Sequence, residues 1–150
     1  MVGFCGSRSL PACWASFVAR VCASLCPAGG PAAVGCAAGA DSFVRAALPG
    51  AVVFRVASFG SGRWAFAARS AALVRAVAAS PSPLFVAFVS APCPAGVVPS
   101  RSFRGLGSGS WGAVALAVGL GVPVRVFWCG SVPAPAFPAW LQENSQGSLF

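Results

Sequence analysis

The sequence has almost no acidic residues and lacks several residue types altogether. Only two of its 150 residues are Asp or Glu, and it contains no His, Lys, Tyr, Ile or Thr. Because His, Lys, Tyr and carboxylates perform most acid–base catalysis, the chain has little material for such chemistry. Asp41 is the one acid expected in the core, since Glu143 falls near the C-terminus. The joint loss of Lys, Ile and Tyr is typical of GC-rich coding, so the net charge of +8, all from arginine, is weak evidence for a polyanionic partner.

Metal ligands are also in short supply. The seven cysteines form no CxxC pair and have no His partners. A structural zinc site needs four clustered thiolates or imidazoles, and Cys22 and Cys26 supply only two on one helix face. The sequence therefore predicts buried, reduced thiols in a cytoplasmic protein, with no metal and no other cofactor.

Charge of either sign is scarce. Charged residues make up 8% of the chain and hydrophobic residues 57%, whereas soluble domains average about 25% charged residues. A chain with so little charge and so much apolar content predicts that a partner subunit covers part of its surface, and hence a homo-oligomer. Residues 21–40 and 105–124 carry no charge, but Gly and Pro interrupt both windows, so we expect no membrane span. The N-terminus lacks the basic start of a signal peptide.

Short apolar runs alternate with helical patterns along the chain. The runs at 2–5, 32–36, 51–57, 84–89 and 124–128 are typical of buried strands. Helices are predicted from Pro11 to Pro27, from Asp41 to Leu48, over 63–79, and after Ser110. Strict alternation predicts an α/β fold: a Rossmann-like, doubly wound parallel sheet of five strands in the order 3-2-1-4-5. Residues 1–129 are expected to form this domain. Residues 130–150 are expected to form a proline-rich tail that is a partner-binding arm or disordered.

Two turns rich in Gly and Ser are expected to meet where the strand order reverses. Gly6-Ser7-Arg8 follows the first strand, and Gly107-Ser108-Gly109-Ser110 leads into the last helix. Ligands of doubly wound sheets bind at the carboxyl ends of the strands at this switch point. Free amides and the dipole of a helix start attract phosphate. The sequence therefore predicts a seat for a nucleotide phosphate, although the second turn is also compatible with a plain flexible linker.

Three charged residues are further candidates for the site. Arg8 is placed to pair with a phosphate or carboxylate, the alternative being an exposed surface arginine. Asp41 suits a ribose hydroxyl or an arginine, the alternative being a cap on the following helix. Arg69 lies in the middle of the long helix and is expected to point into the cleft, unless it lies on a solvated face.

Four segments resemble motifs of the SLOG superfamily in order and in position. They are Gly6-Ser7-Arg8 after the first strand, Gly35-Cys36-Ala37-Ala38-Gly39-Ala40-Asp41 after the second, Ala68-Arg69-Ser70 in the long helix and Gly107-Ser108-Gly109-Ser110 before the last helix. The superfamily includes the Lonely-guy phosphoribohydrolases, the DNA-processing protein DprA and nucleotide sensors of defence systems. The resemblance covers residues 1–129 and implies a Rossmann-like, nucleotide-binding protein. The ligand-binding residues that it and the turns together indicate are Gly6, Ser7, Arg8, Gly39, Asp41, Arg69, Gly107, Ser108, Gly109 and Ser110.

The chain departs from the enzymes of that superfamily at two positions. Their phosphate loop reads PGGxGTxxE; Gly109-Ser110 matches its GT, but its Glu falls on Ala113. Their Arg-Lys pair on the long helix aligns with Arg69-Ser70, so the Lys is missing too. The resemblance thus implies retained phosphate binding without glycosidic hydrolysis. The alternatives are a phosphoribohydrolase or nucleosidase that uses Asp41, a structural assembly protein, and a DprA-like protein that binds single-stranded DNA through Arg55, Arg63, Arg101, Arg104 and Arg125.

Overall fold

Five parallel strands form the single sheet of the computed structural model, which describes residues 1–104 and 107–142. Their order is β3-β2-β1-β4-β5, so the predicted fold class and strand order are confirmed. The strands are β1 (Val2–Gly6), β2 (Ala32–Gly35), β3 (Val52–Phe54), β4 (Leu84–Val89) and β5 (Val124–Trp128).

Helices cover both faces of the sheet. They are α1 (Ala15–Leu25), α2 (Ala40–Ala47), α3 (Arg63–Ala78), α4 (Gly109–Gly119) and α5 (Ala139–Gln142). Helices α1 and α2 share one core cluster with Phe4, and α3 and α4 share the other with Phe85. The run 84–89 is apolar throughout because β4 lies between these two layers, with five of its six residues buried.

Strand β1 is paired on both sides and is the point where the order reverses. Phe4 lies opposite Val34 of β2 and Val86 of β4. The carboxyl ends of β1 and β4 are therefore neighbours, and the chain leaves them toward opposite faces of the sheet. This is the arrangement that opens a crevice in doubly wound folds.

Two local predictions differ from the structure. The third strand is shorter than residues 51–57, because the chain turns into a 3-10 helix at Val56–Phe59. Asp41 does not cap α2, because the N-cap is Gly39 and α2 begins at Ala40. Asp41 lies in the first turn of α2 and its carboxylate accepts a hydrogen bond from the preceding loop.

The segment after β5 packs back onto the domain as far as residue 142. Leu141 is buried in the same core cluster as α3 and α4. The rings of Phe137 and Trp140 lie 5.9 and 6.5 Å from that of Trp111 in α4. The rest of the predicted tail, with Glu143, lies outside the described residues. No helix within the described ranges is both long and apolar enough to span a membrane.

Candidate functional site

Ser7 joins three elements at the switch point. Its Oγ accepts a hydrogen bond from the backbone N–H of Ser90, just after β4, at 2.9 Å. Its own N–H donates to the carbonyl of Phe88 at 2.9 Å, and its carbonyl accepts from Ala40 at the start of α2 at 3.1 Å. The backbone of Ser7 is thus committed to the fold, and among the described residues no group accepts the proton of its hydroxyl.

Two of the predicted site glycines permit the close packing of these turns. A Cβ on Gly6 would lie 2.5 Å from the Cβ of Ala40 and 2.5 Å from the carbonyl oxygen of Phe88. Gly39 has a φ of +65°, and a Cβ there would overlap the carbonyl oxygens of Ser7 and Arg8. Gly39 therefore lets the turns after β1 and β2 touch, which fixes the position of Arg8.

We expect Gly39→Ala to lower the free energy of unfolding by about 2 kcal/mol or more, because it combines left-handed backbone strain with a clash against two backbone oxygens. Urea denaturation followed by circular dichroism measures the loss. Gly50→Ala is the matched control, since a Cβ there meets nothing within 4 Å and the φ of Gly50 is not positive. Equal stability of the two variants would contradict this account of Gly39.

Asp41 and Arg69 form a buried ion pair behind the turn that follows β2. Their side chains are 3% and 8% exposed, and Nη1 of Arg69 lies 3.2 Å from Oδ2 of Asp41. The same carboxylate oxygen accepts from the N–H of Ala37 at 3.1 Å. Burial raises the pKa of Asp41, against the opposing effect of Arg69. A Cβ on Gly35 would overlap the guanidinium of Arg69, so any other residue at the end of β2 would displace this ion pair.

A cleft of about 340 Å³ brings Arg8 and Arg69 together, as their candidacy for one site requires. The guanidinium of Arg8 lies 4.5 Å from the centroid of the Phe66 ring, which holds the charge at the cleft mouth. The Nε atom of Arg69 is buried and has no hydrogen-bond partner in the described part of the chain. The cleft is lined by Arg8, Cys36, Ala37, Ala38, Val56, Phe66 and Arg69.

Arg45 is a supporting residue of this cleft that the sequence did not reveal. Its Nη1 donates to the carbonyls of Gly35 and Ala37, at 2.8 and 3.0 Å. These bonds join the turn between β2 and α2 to the last turn of α2. Arg45 lies four residues after Asp41, but nothing in the sequence indicates that it binds backbone rather than solvent.

The start of α4 is an open helix N-terminus. Ser108 is its N-cap, and the Ser108 Oγ accepts from the N–H of Trp111 at 3.3 Å. The N–H groups of Gly109 and Ser110 have no acceptor among the described residues, as the first turn of a helix leads one to expect. Gly107 has a φ of +82°, and a Cβ on Gly107 or Gly109 would meet nothing within 4 Å. No described residue thus covers the predicted phosphate turn.

Cys5 links the start of α4 to the rest of the site. Its thiol donates to the carbonyl of Ser110 at a distance of 3.9 Å, so α4 begins over the end of β1. Burial raises the pKa of Cys5 far above its usual value, and the charges of Asp41 and Arg69 also act on it. A thiol in that environment is a poor nucleophile, which argues against Cys5 as a catalytic residue.

A second, larger cleft lies on the other side of the switch point and was not anticipated. It has a volume of about 650 Å³ and is bounded by α1, by Ser90 after β4 and by the turn after β5. The sequence signal was weak: Trp14, Phe17 and Arg20 recur every third residue. The cleft is lined by Ser9, Pro11, Cys13, Trp14, Ser16, Phe17, Arg20, Ser90, Cys129, Gly130 and Ser131.

The remaining candidates are spread over the surface. The arginines proposed for DNA are all exposed, and they are divided among four parts of the chain: Arg55 after β3, Arg63 on α3, Arg101 and Arg104 in the segment before α4, and Arg125 on β5. Within residues 1–104 and 107–142, no three His, Cys, Asp or Glu side chains lie close enough to hold a metal ion.

Comparison of the chain with protein-family models, with curated proteins and with solved structures finds no match. The resemblance to the SLOG superfamily therefore depends on the motifs alone, and the geometry of the site has to carry any functional conclusion.

Proposed function

We propose that this chain is a SLOG-like protein that binds a nucleotide or a nucleotide derivative without turning it over. In this proposal the phosphate lies on the start of α4, and the remainder of the ligand extends toward the cleft of Arg8 and Arg69. The observation that carries the proposal is the N-terminus of α4, which no described residue covers and which the contact between Cys5 and Ser110 holds over the end of β1.

The charges around this crevice favour an anion. Two free amides, the hydroxyls of Ser108 and Ser110, and the positive end of the α4 dipole converge at the turn. Arg8 and Arg69 add two guanidinium groups on the neighbouring cleft. The one acid among the described residues, Asp41, is buried against Arg69 and does not line that cleft.

The same geometry supports binding without catalysis. Asp41 is only 3% exposed, and its carboxylate already accepts from Arg69 and Ala37. Ala113, at the position of the enzymes' Glu, is buried in the core and carries no acid. With no His, Lys or Tyr in the chain, the crevice lacks the other residue types that most often serve as general acid or base.

Gly109→Glu tests the proposal. A Cβ at residue 109 meets open space, and an acid in the first turn stabilises a helix, so the variant should fold. Its carboxylate would repel a bound phosphate, and we expect the Kd for nucleotides to rise about tenfold or more, which corresponds to about 1.4 kcal/mol. Thermal shift with a panel of nucleoside mono- and diphosphates identifies a ligand, and calorimetry on the variant measures the loss.

Gly109→Gln is the control, because it has nearly the same size without the charge. We expect it to retain most of the nucleotide affinity. Absence of binding by folded wild-type protein to every nucleotide of the panel would refute the proposal. Nucleotide affinity unchanged in Gly109→Glu would place the phosphate away from α4, and equal weakening by Glu and Gln would show that charge repulsion is not the cause.

Binding of single-stranded DNA is the second candidate function. Trp64 is 63% exposed beside the exposed Arg63, a pairing that suits a stacked base and its phosphate. Oligonucleotide binding that weakens steeply with salt, is lost in Trp64→Ala and survives in Gly109→Glu would favour this function over nucleotide binding.

We propose a cytoplasmic homo-oligomer as the working form. All seven cysteines are free thiols, as a reducing compartment requires. Val52, Leu120 and Val132 are 53%, 46% and 63% exposed, and such side chains gain from cover by a second copy. Light scattering at several protein concentrations measures the subunit number, and a strictly monomeric mass would refute the oligomer.

A further inference from the structure

We propose that the larger cleft, beside α1, is a second binding site, and that it takes a small planar aromatic ring carrying one carboxylate or phosphate group. The cleft of about 650 Å³ lies within the range typical of small-molecule sites. It shares none of its lining residues with the cleft of Arg8 and Arg69, so the inference does not depend on the proposed nucleotide site.

One wall of this cleft is aromatic and rigid. The rings of Trp14 and Phe17 meet edge to face, with centroids 5.7 Å apart and planes at 79°. The ring centroids of Phe17 and Phe127 lie 5.5 Å apart. The ring of Phe127 stacks on that of the fully buried Phe88, with centroids 5.6 Å apart. Because this series of rings reaches the core, Trp14 and Phe17 present a fixed apolar surface suited to another ring.

The cationic group of the cleft is Arg20. Its guanidinium lies 6.0 Å from the centroid of Phe17, so charge and ring adjoin. The only salt bridge of the described residues joins Asp41 to Arg69, which leaves Arg20 without a carboxylate partner there. A guanidinium binds a carboxylate or a phosphate through two parallel hydrogen bonds.

Hydroxyl groups complete the polar side of the cleft. Ser9, Ser16 and Ser131 line it from three different segments, and their hydroxyls make no hydrogen bond to another described residue. They can donate to further oxygens of an anion that is bound at Arg20. A ligand ring that packs on Trp14 and Phe17, with its acid group at Arg20, would contact the apolar wall and the polar side of the cleft together.

Cys13 gives a direct readout of occupancy. It lines this cleft and is exposed, whereas Cys36 lines the smaller cleft and is half-buried. Burial raises the pKa of Cys22 to about 12 and that of Cys129 to about 11, so those thiols react slowly with alkylating agents at neutral pH. The rate of Cys13 alkylation by iodoacetamide, followed by peptide mass spectrometry, therefore reports on the cleft.

The experiment compares benzoate and indole carboxylates with their neutral amides and with nucleoside monophosphates. We expect an aromatic anion to slow the alkylation of Cys13 and not that of Cys36, and we expect the matched amide to act about tenfold more weakly. Arg20→Gln should raise the half-protecting concentration about tenfold, whereas Arg75→Gln, an exposed arginine on α3, should leave it unchanged.

The arms of the test separate the two sources of such an anion. Protection of Cys13 by the carboxylates assigns an aromatic acid, and protection by the monophosphates assigns a nucleotide, provided Arg20→Gln weakens either. Absence of Cys13 protection by every ring-bearing anion, or protection unaffected by Arg20→Gln, would overturn the proposal. Failure of the α4 site appears instead as nucleotide binding that is insensitive to Gly109→Glu.

Discussion

Replacing Arg69 with methionine will lower the free energy of unfolding by about 3–5 kcal/mol at neutral pH. The Asp41 carboxylate is 3% exposed, and Arg69 is its only ion-pair partner within the described residues. Without the guanidinium, that carboxylate must stay charged in an apolar interior or take up a proton, and either state costs folding free energy. Urea denaturation monitored by circular dichroism measures the loss.

The loss should shrink as the pH falls. Burial already raises the pKa of Asp41, and Arg69 is the largest of the influences that lower it, so the variant raises this pKa further. Between the ordinary Asp pKa and the raised one, the folded variant then binds a proton that the unfolded chain does not. Its free energy of unfolding therefore falls as the pH rises through that window and recovers below it.

Two further variants separate charge from packing. Arg75→Met alters an exposed arginine on the same helix and should change stability by no more than about 0.5 kcal/mol. The double variant Arg69→Met with Asp41→Asn removes both charges, and we expect it to recover part of the loss and to show no pH-dependent slope from this site. A loss at Arg69 as small as that at Arg75 would show that the pair is not buried.

Trp111→Ala should cost about 3–5 kcal/mol, the range for truncation of a fully buried aromatic side chain. Trp111 is 1% exposed on α4 and packs against the rings of Phe137 and Trp140. Its indole N–H also donates to the carbonyl of Ala91 at 2.9 Å, so truncation leaves that carbonyl without its donor.

Trp64→Ala is the matched control for this variant. Trp64 is 63% exposed, so its removal should alter the unfolding free energy by about 0.5 kcal/mol or less. Each variant lacks one indole, so unfolding curves followed by tryptophan fluorescence compare proteins with the same number of fluorophores. A comparable loss in the two would show that the segment around Phe137 and Trp140 does not close over α4.

The sequence predicts the sheet well because its signals are local. Apolar runs mark β4 and β5 at the observed bounds, and strict alternation with helices leaves few possible orders of parallel strands. The third strand ends earlier than its β-branched run indicates, because the chain turns at Val56 to meet α3. Propensity alone does not reveal such a tertiary contact.

The site is only partly predictable, because it too depends on tertiary contacts. Arg8 and Arg69 were singled out by position and do line one cleft. The close approach of Arg69 to Gly35 and the backbone contacts of Arg45 depend on where Arg69 and the turn after β2 lie in three dimensions. The larger cleft draws its walls from segments up to about 120 residues apart, from Ser9 to Ser131, and no local pattern joins them.

Ser7 makes hydrogen bonds to elements that belong to both clefts. Through Ser90 it touches the lining of the larger cleft, and through Ala40 it supports the helix whose Asp41 holds Arg69 in the smaller one. A ligand that shifts Ser90 in the larger cleft would therefore act on Ser7, and through Ser7 on the start of α2 behind the smaller cleft. Any such coupling works equally in both directions, so occupancy of either cleft would change the affinity of its neighbour by the same factor.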